Sequence, residues 1–136
     1  MRTTLAIFGI FGLLQGCATY VEPTTADVSI LTGKRIHHSN TNWEVYEVRA
    51  IDRLTTESGF WSHTAELKFS VTPGAHRIFV KGSYYRRPSF FITGEPVQAY
   101  FVLNAEFRAN QEYQVNGIFN NEMELRIEEK ATGTRV

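Results

Sequence analysis

The stretch from residue 97 to residue 109 alternates between apolar and polar side chains along most of its length. Successive side chains of a β-strand point to opposite faces, so a period of two gathers one set of residues on one face. A helix would need apolar residues about every 3.6 positions, and the stretch lacks that repeat. It therefore predicts a long strand with one buried face, made of Val97, Ala99, Phe101, Leu103, Ala105, Phe107 and Ala109.

Shorter alternating segments accompany this strand, and turn residues separate several of them. Turns are indicated at 72–74, 110–111 and 120–121, where proline presets one backbone angle and glycine or asparagine tolerates left-handed geometry. About seven strands and no helix are expected, which predicts an all-β, antiparallel β-sandwich of immunoglobulin-like type, with a single closed sheet as the alternative. The apolar positions are Val28, Ile30, Tyr46, Val48, Ala50, Leu67, Phe69, Val71, Ile78, Val80, Met123, Leu125 and Ile127.

The first sixteen residues have the pattern of an export signal. A positive charge at Arg2 precedes an apolar run from Leu5 to Leu14, and the small residue Gly16 follows. As a helix the run would be roughly 15 Å long, against about 30 Å of bilayer hydrocarbon. It is therefore expected to direct export and not to span a membrane.

The end of this segment, Leu14–Cys17 (LQGC), resembles the bacterial lipobox. The resemblance implies that Cys17 is lipidated and that the chain is cut just before it. Residues 1–16 would then be a signal peptide, 17–25 a lipidated cysteine with a short tether, and 26–136 the β-sandwich domain. Ala18 after the cysteine, instead of aspartate, implies the periplasmic face of the outer membrane in this family. The alternative is cleavage after Ala18 by ordinary signal peptidase, which would release a soluble protein.

Two further segments carry a second resemblance. Val71–Val80 (VTPGAHRIFV) is similar to small β-sandwich repeats of bacterial envelope proteins, the PEGA type. The segment Ala105–Val136 looks like the last strands of many uncharacterised bacterial lipoproteins. Both resemblances support a β-sandwich and imply no activity.

Charge and metal-ligand spacing exclude several partners. Basic and acidic residues number 14 each, so no basic excess favours nucleic acid, and the expected membrane attachment is the lipid on Cys17. Cys17 is also the only cysteine, so no intramolecular disulfide forms. The adjacent His37 and His38 would point to opposite faces of an extended chain, and His63 and His76 add no ligand spacing, so no metal or cofactor is expected. His76 is in phase with Ile78 and is expected at the core edge, hydrogen-bonded to a loop.

Two aromatic groups are candidate binding elements. The segment Gly82–Pro96 is predicted to be a long loop, in which Tyr84, Tyr85, Arg86, Arg87, Phe90 and Phe91 are candidates for contact with an envelope protein partner. The alternative is that these aromatic residues cap one end of the sandwich. Trp43 and Trp61 are candidates for stacking on sugar rings of a glycan, or else belong to the core.

Catalytic motifs are missing from the sequence. It contains no nucleophile elbow, no phosphate-cradling glycine loop and no zinc-protease helix motif. The sequence therefore predicts a non-enzymatic binding or assembly module, with glycan binding as the second hypothesis and an enzyme as the third.

Overall fold

A computed structural model describes residues 18–56, 68–86, 97–120 and 122–136. All regular elements within these ranges are β-strands, so the predicted all-β class is confirmed. The predicted signal segment and Cys17 lie outside the described residues, as do His63 and Leu67.

The described residues hold nine strands, which form two sheets. The strands are β1 (Ser29–Thr32), β2 (Lys34–His37), β3 (Asn42–Ile51), β4 (Leu54–Thr55), β5 (Lys68–Val71), β6 (Gly74–Arg86), β7 (Val97–Phe107), β8 (Glu112–Asn120) and β9 (Glu122–Glu129). A four-stranded sheet has the order β5-β1-β8-β9, and a five-stranded sheet has the order β2-β3-β6-β7 with β4 also paired to β3. Nine strands form in place of the seven predicted, because the short β2 and β4 add to β3 through backbone pairing and carry no apolar alternation of their own.

The pairing of β1 with β8 is parallel, which departs from the purely antiparallel arrangement expected. Ile30 lies beside Glu112, and Thr32 lies beside Gln114. Parallel neighbours cannot be joined by a tight turn, and these two strands lie far apart in the sequence. The short-range patterns of the sequence therefore carry no signal for this pair.

The predicted turns form, but two of them do not make hairpins. Gly74 has φ 114° and Asn110 has φ 59°, the left-handed geometry expected at both sites. The first turn carries the chain from β5 in one sheet to β6 in the other, and the second carries it from β7 to β8 in the same way. The β8–β9 connection is a hairpin as predicted, with Phe119 opposite Met123.

The hydrophobic core lies between the two sheets. In β7 the inward set is confirmed from Ala99 to Phe107, whereas Val97 is 51% exposed and Ala109 lies in the turn that follows the strand. In β1 the core residue is Leu31, in the opposite phase from the predicted Ile30. The cluster consists of Leu31, Tyr46, Val48, Ile51, Val71, Ile78, Val80, Ala105, Phe107, Tyr113, Val115, Leu125 and Ile127.

A β-bulge in β3 changes which residues face outward. The register with β6 shifts between Val48 and Ala50, so that Val48 pairs with Val80 and Ala50 pairs with Phe79. One extra residue in a strand reverses the facing of the residues beyond it. Ala50, which was expected in the same phase as Val48, therefore lies with Phe79 on the outer side of the five-stranded sheet.

Candidate functional site

The residues that follow Cys17 are hydrogen-bonded to the body of the domain. The Thr55 amide donates to the Ala18 carbonyl at 3.0 Å, and the Tyr20 amide donates to the Thr55 carbonyl at 2.9 Å. Thr19 forms a parallel bridge with Thr55. The segment thus adds a short extended piece to the β4 edge of the five-stranded sheet.

The same segment also contacts the edge of the four-stranded sheet. The Tyr20 hydroxyl donates to the Ser70 carbonyl at 2.6 Å, and the Ser70 amide donates to Glu22 Oε1 at 2.8 Å. Burial, with the nearby charges of Glu22 and Asp52, raises the pKa of the Tyr20 phenol above its ordinary value. Residues 18–22 therefore join the two sheets at one side of the sandwich.

Residues 18–22 lie within the range 17–25 that was predicted to be a short tether. They are hydrogen-bonded to both sheets, because both of their neighbouring strands offer edge groups that the segment satisfies. The segment is parallel to β4, which leads away from the Asp52–Arg53 turn. Traced backward from Tyr20 to Ala18, the chain therefore approaches that turn. Cys17 is one peptide from Ala18, a Cα separation of about 3.8 Å. We call the end of the sandwich that bears this turn the anchor end.

His76 lies at the edge of the core near the anchor end, as predicted. Its ring is 5.7 Å from that of Phe107, and its Nε2 is 2.7 Å from the Thr72 carbonyl. Its Nδ1 is 2.5 Å from Asp52 Oδ2, and the other Asp52 oxygen accepts a hydrogen bond from the Arg77 amide at 2.9 Å. The imidazole therefore ties the β3–β4 turn to the β5–β6 turn.

The same cluster contains a threonine, a histidine and an aspartate, which is the order of a nucleophile, a base and an orienting acid. The Thr72 hydroxyl lies 3.2 Å from His76 Nε2. A carbonyl can only accept, so Nε2 must carry a hydrogen for its bond to the Thr72 carbonyl and has no lone pair to take the hydroxyl proton. The geometry thus holds two turns together and leaves the hydroxyl without a base.

An exposed group of apolar and basic side chains lies on the outer side of the five-stranded sheet. Tyr100 and Val102 on β7 are 57% and 48% exposed, and the Phe79 ring stacks on Tyr100 at 5.8 Å. Lys81 Nζ lies 5.9 Å from the centre of the Tyr100 ring. A shallow cleft of about 390 Å³ is lined by Ala50, Arg53, Arg77, Phe79 and Val102. We call Phe79, Tyr100, Val102, Arg53, Arg77 and Lys81 together the outer patch.

Sequence reasoning missed the outer patch because it followed the buried set of each strand. Phe79 lies in the opposite phase from Ile78 and Val80, and Tyr100 and Val102 occupy consecutive outward positions of β7. Three large apolar side chains at outward positions of two strands were the available signal. Only the register, which places Val102 opposite Phe79, shows that they are neighbours.

The predicted partner-binding loop is in part a strand. Tyr84, Tyr85 and Arg86 belong to β6, while Arg87, Phe90 and Phe91 lie outside the described residues. The placement of Tyr84, Tyr85 and Arg86 in a loop was wrong, because the alternation of β6 continues past Val80.

The two tyrosines point to opposite faces of β6. The Tyr84 ring stacks on Phe119 at 4.6 Å, whereas the Tyr85 ring stacks on Trp43 at 5.0 Å. They therefore do not form one contact surface.

Of the two tryptophans predicted as candidates for glycan stacking, Trp43 lies within the described residues. Trp43 on β3 is half-buried, and one face of its ring is covered by Tyr85 at an interplanar angle of 12°. Trp61 lies outside the described residues.

A buried carboxylate on β3, near the end opposite the anchor end, is paired with two neighbouring side chains. Glu44 is buried and accepts hydrogen bonds from the Tyr46 hydroxyl at 2.9 Å and from His38 Nε2 at 2.7 Å. Burial first, then the hydrogen bond and charge of Glu44, raises the pKa of the Tyr46 phenol well above its ordinary range. Within the described ranges no group of three or more His, Cys, Asp and Glu side chains is placed to hold a metal ion.

Comparisons with known proteins identify no relative. No protein-family model matches the chain, and neither a curated protein nor a solved structure is similar to it. The described part of the chain also has no helix with the length and hydropathy needed to cross a membrane.

Proposed function

We propose that this protein is a lipid-anchored envelope protein that acts as a non-enzymatic binding or assembly module at the periplasmic face of the outer membrane. The observation that carries the proposal is the attachment of Ala18 and Tyr20 to Thr55. A lipid on Cys17 would be attached to the residue directly before Ala18, which is hydrogen-bonded to the folded domain. The domain would then be mounted directly on the membrane surface, without a flexible stalk.

The energetics of lipid anchoring agree with this arrangement. Burial in the bilayer is worth about 0.8 kcal/mol per CH₂, so one acyl chain binds marginally and two or three bind stably. The hydrogen bonds of residues 18–22 are not needed for that affinity. Their effect is to limit the rotation of the domain about its anchor, which suits a module that presents one surface to a partner.

Replacing Cys17 by alanine tests the anchoring. We expect the Cys17→Ala protein to lose metabolic labelling with radioactive palmitate and to remain an uncleaved precursor or become soluble. A Gly16→Ala variant is the matched control, because alanine is also small and should preserve processing. A Cys17→Ala protein with the mass of the acylated mature form would refute lipidation at this residue.

The outer-membrane assignment has a separate test. In the family that the lipobox resembles, an aspartate after the cysteine retains proteins at the inner membrane. We expect Ala18→Asp to move the protein from the outer-membrane to the inner-membrane fraction, with Ala18→Ser as the control. Equal distribution of both variants and the parent protein would contradict the assignment.

The non-enzymatic part of the proposal draws support from His76. Both of its ring nitrogens contact oxygen atoms of the protein, one of Asp52 and one of Thr72.

The partner is proposed to be an envelope protein. Cross-linking of intact envelopes, followed by mass spectrometry of the adducts, would identify it.

Glycan binding is the second candidate, and the stacked pair of Trp43 and Tyr85 favours it. Two parallel rings that are each half-buried offer one apolar platform of the kind on which sugar rings stack. Sedimentation with purified peptidoglycan tests it. Binding that falls in Trp43→Ala but not in Phe79→Ala would support a glycan site, and absence of sedimentation by the parent protein would reject it.

The finer fold type is proposed as well. Two facing sheets joined by connections that switch from one sheet to the other support an immunoglobulin-like sandwich. An experimental structure with the strand order of that fold is the test, and a different strand order would reject it.

A further inference from the structure

We infer that the outer patch is the surface with which the domain rests on the phospholipid headgroups of its membrane. The inference depends on the proposed lipidation of Cys17 and extends it from a point of attachment to an orientation. It commits to a lipid surface as the occupant, and contact with a protein or a second copy is a competing outcome of the test below.

The first argument is continuity with the attachment point. Pairing across the five-stranded sheet places Thr55 beside Ala50, Ala50 beside Phe79, and Phe79 beside Val102. Neighbouring strands are about 4.8 Å apart, so Val102 lies about 14 Å from Thr55, to which Ala18 is bonded. The patch therefore begins at the edge of the sheet where the anchored segment is attached.

The second argument is the distribution of exposed apolar side chains. Tyr20 points inward, so alternation along the extended segment turns Val21 outward, where it is 81% exposed. Val21, Phe79, Tyr100 and Val102 are four of the six large exposed apolar residues in the described part of the chain, and Ile118 alone represents the outer side of the opposite sheet. Clustered exposed apolar residues mark a contact surface, and tyrosine suits a boundary between lipid and water.

The third argument is the pairing state of the cations. No carboxylate among the described residues forms an ion pair with the side chains of Arg53 or Arg77. Among the described residues, the acids near this side are Glu47, opposite Lys81 on the neighbouring strand, and Asp52 and Glu106, which line a second cleft with Arg77. Two guanidinium groups next to exposed apolar side chains match the phosphates at a bilayer surface.

Among the described residues, the opposite side of the sandwich differs in the pairing of its charged side chains. Three of its basic side chains form ion pairs with glutamates of the same side: Arg126 with Glu128 at 3.0 Å, Lys130 with Glu112 at 4.0 Å and Arg135 with Glu124 at 3.7 Å. Lys68 lies on β5, at the edge of this sheet. Glu122 adds a further acid. This side would meet a phosphate layer with carboxylates, so the two sides of the domain differ in their affinity for a lipid surface.

A fluorescence experiment on the full lipidated protein tests the orientation. Once Cys17 is acylated, an introduced cysteine is the only thiol available for a fluorophore. Val102→Cys and Ile118→Cys form a matched pair, because both replace β-branched outward residues of similar exposure, 48% and 49%, on opposite sheets. Each labelled protein is reconstituted on vesicles of phosphatidylethanolamine and phosphatidylglycerol that contain a phospholipid with a spin label on its headgroup.

We expect the spin-labelled lipid to quench the label at position 102 at least about twofold more than the label at 118, because the two sheets lie ~10 Å apart and the labels point away from each other. Arg53→Glu combined with Arg77→Glu should reduce quenching at 102 while sedimentation with vesicles is unchanged. Equal quenching of both labels, or stronger quenching at 118, would overturn the inference. So would self-quenching at 102 that depends on protein density and not on the spin-labelled lipid, since it would show that the patch contacts a second copy.

The same samples separate this inference from the proposed function. Sedimentation with vesicles reports the lipid anchor, whereas quenching reports the orientation. Protein that sediments without preferential quenching at 102 leaves the anchor standing and refutes the orientation. Protein that stays in the supernatant refutes lipidation, and with it the premise of the inference.

Discussion

Gly117 on β8 lies against side chains of both sheets with no room for a methyl group, and Gly117→Ala should be strongly destabilising. A Cβ at this position would lie 2.5 Å and 2.6 Å from two ring carbons of Tyr46 and 2.7 Å from a methyl carbon of Leu125. Ordinary carbon contacts are about 3.5–4.0 Å, so the added methyl overlaps all three atoms by about 1 Å. Tyr46 cannot move aside easily, because it is fully buried and its hydroxyl donates to Glu44 at 2.9 Å.

The expected magnitude follows from this overlap. Overpacking by one methyl group costs about 1–3 kcal/mol, and a fixed ring on one side argues for the upper part of that range. Alanine loses less backbone entropy on folding than glycine, which offsets about 0.5–1 kcal/mol of this cost. We expect a net loss of about 2 kcal/mol in the free energy of unfolding, and a lower Tm by roughly 5–10 °C for a domain of this size.

Urea denaturation of residues 18–136, followed by tryptophan fluorescence, measures this loss. Ile118→Ala is the control: it places alanine at the next position of β8, where the side chain points outward and is 49% exposed, and should cost less than about 1 kcal/mol. A Gly117→Ala protein whose free energy of unfolding stays within about 0.5 kcal/mol of the parent would refute close packing of Tyr46 against β8.

Three further predictions concern individual side chains. Tyr20→Phe removes the hydroxyl that donates to Ser70 and should cost about 0.5–1.5 kcal/mol in urea denaturation, with no loss expected if residues 18–22 are a free tether. Burial alone would raise the pKa of Glu128, but hydrogen bonds from neighbouring amides and an arginine outweigh it and lower the pKa below 4.5. Folding thus favours the ionised form of Glu128. The stabilisation by this carboxylate is present above about pH 4.5 and is lost as the pH falls through the lower folded pKa. Glu128→Gln should therefore lose less stability than the parent protein between roughly pH 5 and 3. His76→Ala should destabilise the anchor end by about 1–3 kcal/mol and speed hydrogen exchange of the Arg77 amide, because Asp52 loses the partner that holds it against that amide. Unchanged exchange would contradict the role of His76 in positioning Asp52.

Much of the fold was predictable from local pattern. The alternation in β7 identified its inward residues from Ala99 to Phe107, and the left-handed turn positions at Gly74 and Asn110 followed from residue type. His76 at the core edge followed from its phase with Ile78. Such predictions succeed because the facing of a side chain and the geometry of a turn depend on a few neighbouring residues.

The candidate site was less predictable. The residues of the outer patch are visible in the sequence as outward positions, but their proximity depends on the register between β6 and β7 and on the bulge before Ala50. The predicted loop failed for Tyr84 and Tyr85 because its start was placed at a glycine, although Pro88 lies two residues after the end of β6 at Arg86. The glycine at position 82 suggested a break, whereas it lies in mid-strand where Met123 and Leu125 of the other sheet leave no room for a side chain.

By itself, the sequence determined that the chain forms strands, which face of β7 is buried from Ala99 to Phe107, and that the chain turns at 72–74 and 110–111. Only the tertiary structure decided which strands are neighbours, that β1 and β8 are parallel, that two of the turns switch sheets, and that residues 18–22 are attached to the edges of both sheets. The physical reason is that burial and backbone angles are set within a few residues, whereas strand pairing satisfies backbone groups that are identical in every residue. Which strands become neighbours depends on how the whole core packs. The sequence around any one strand contains too little of that core to predict its neighbours.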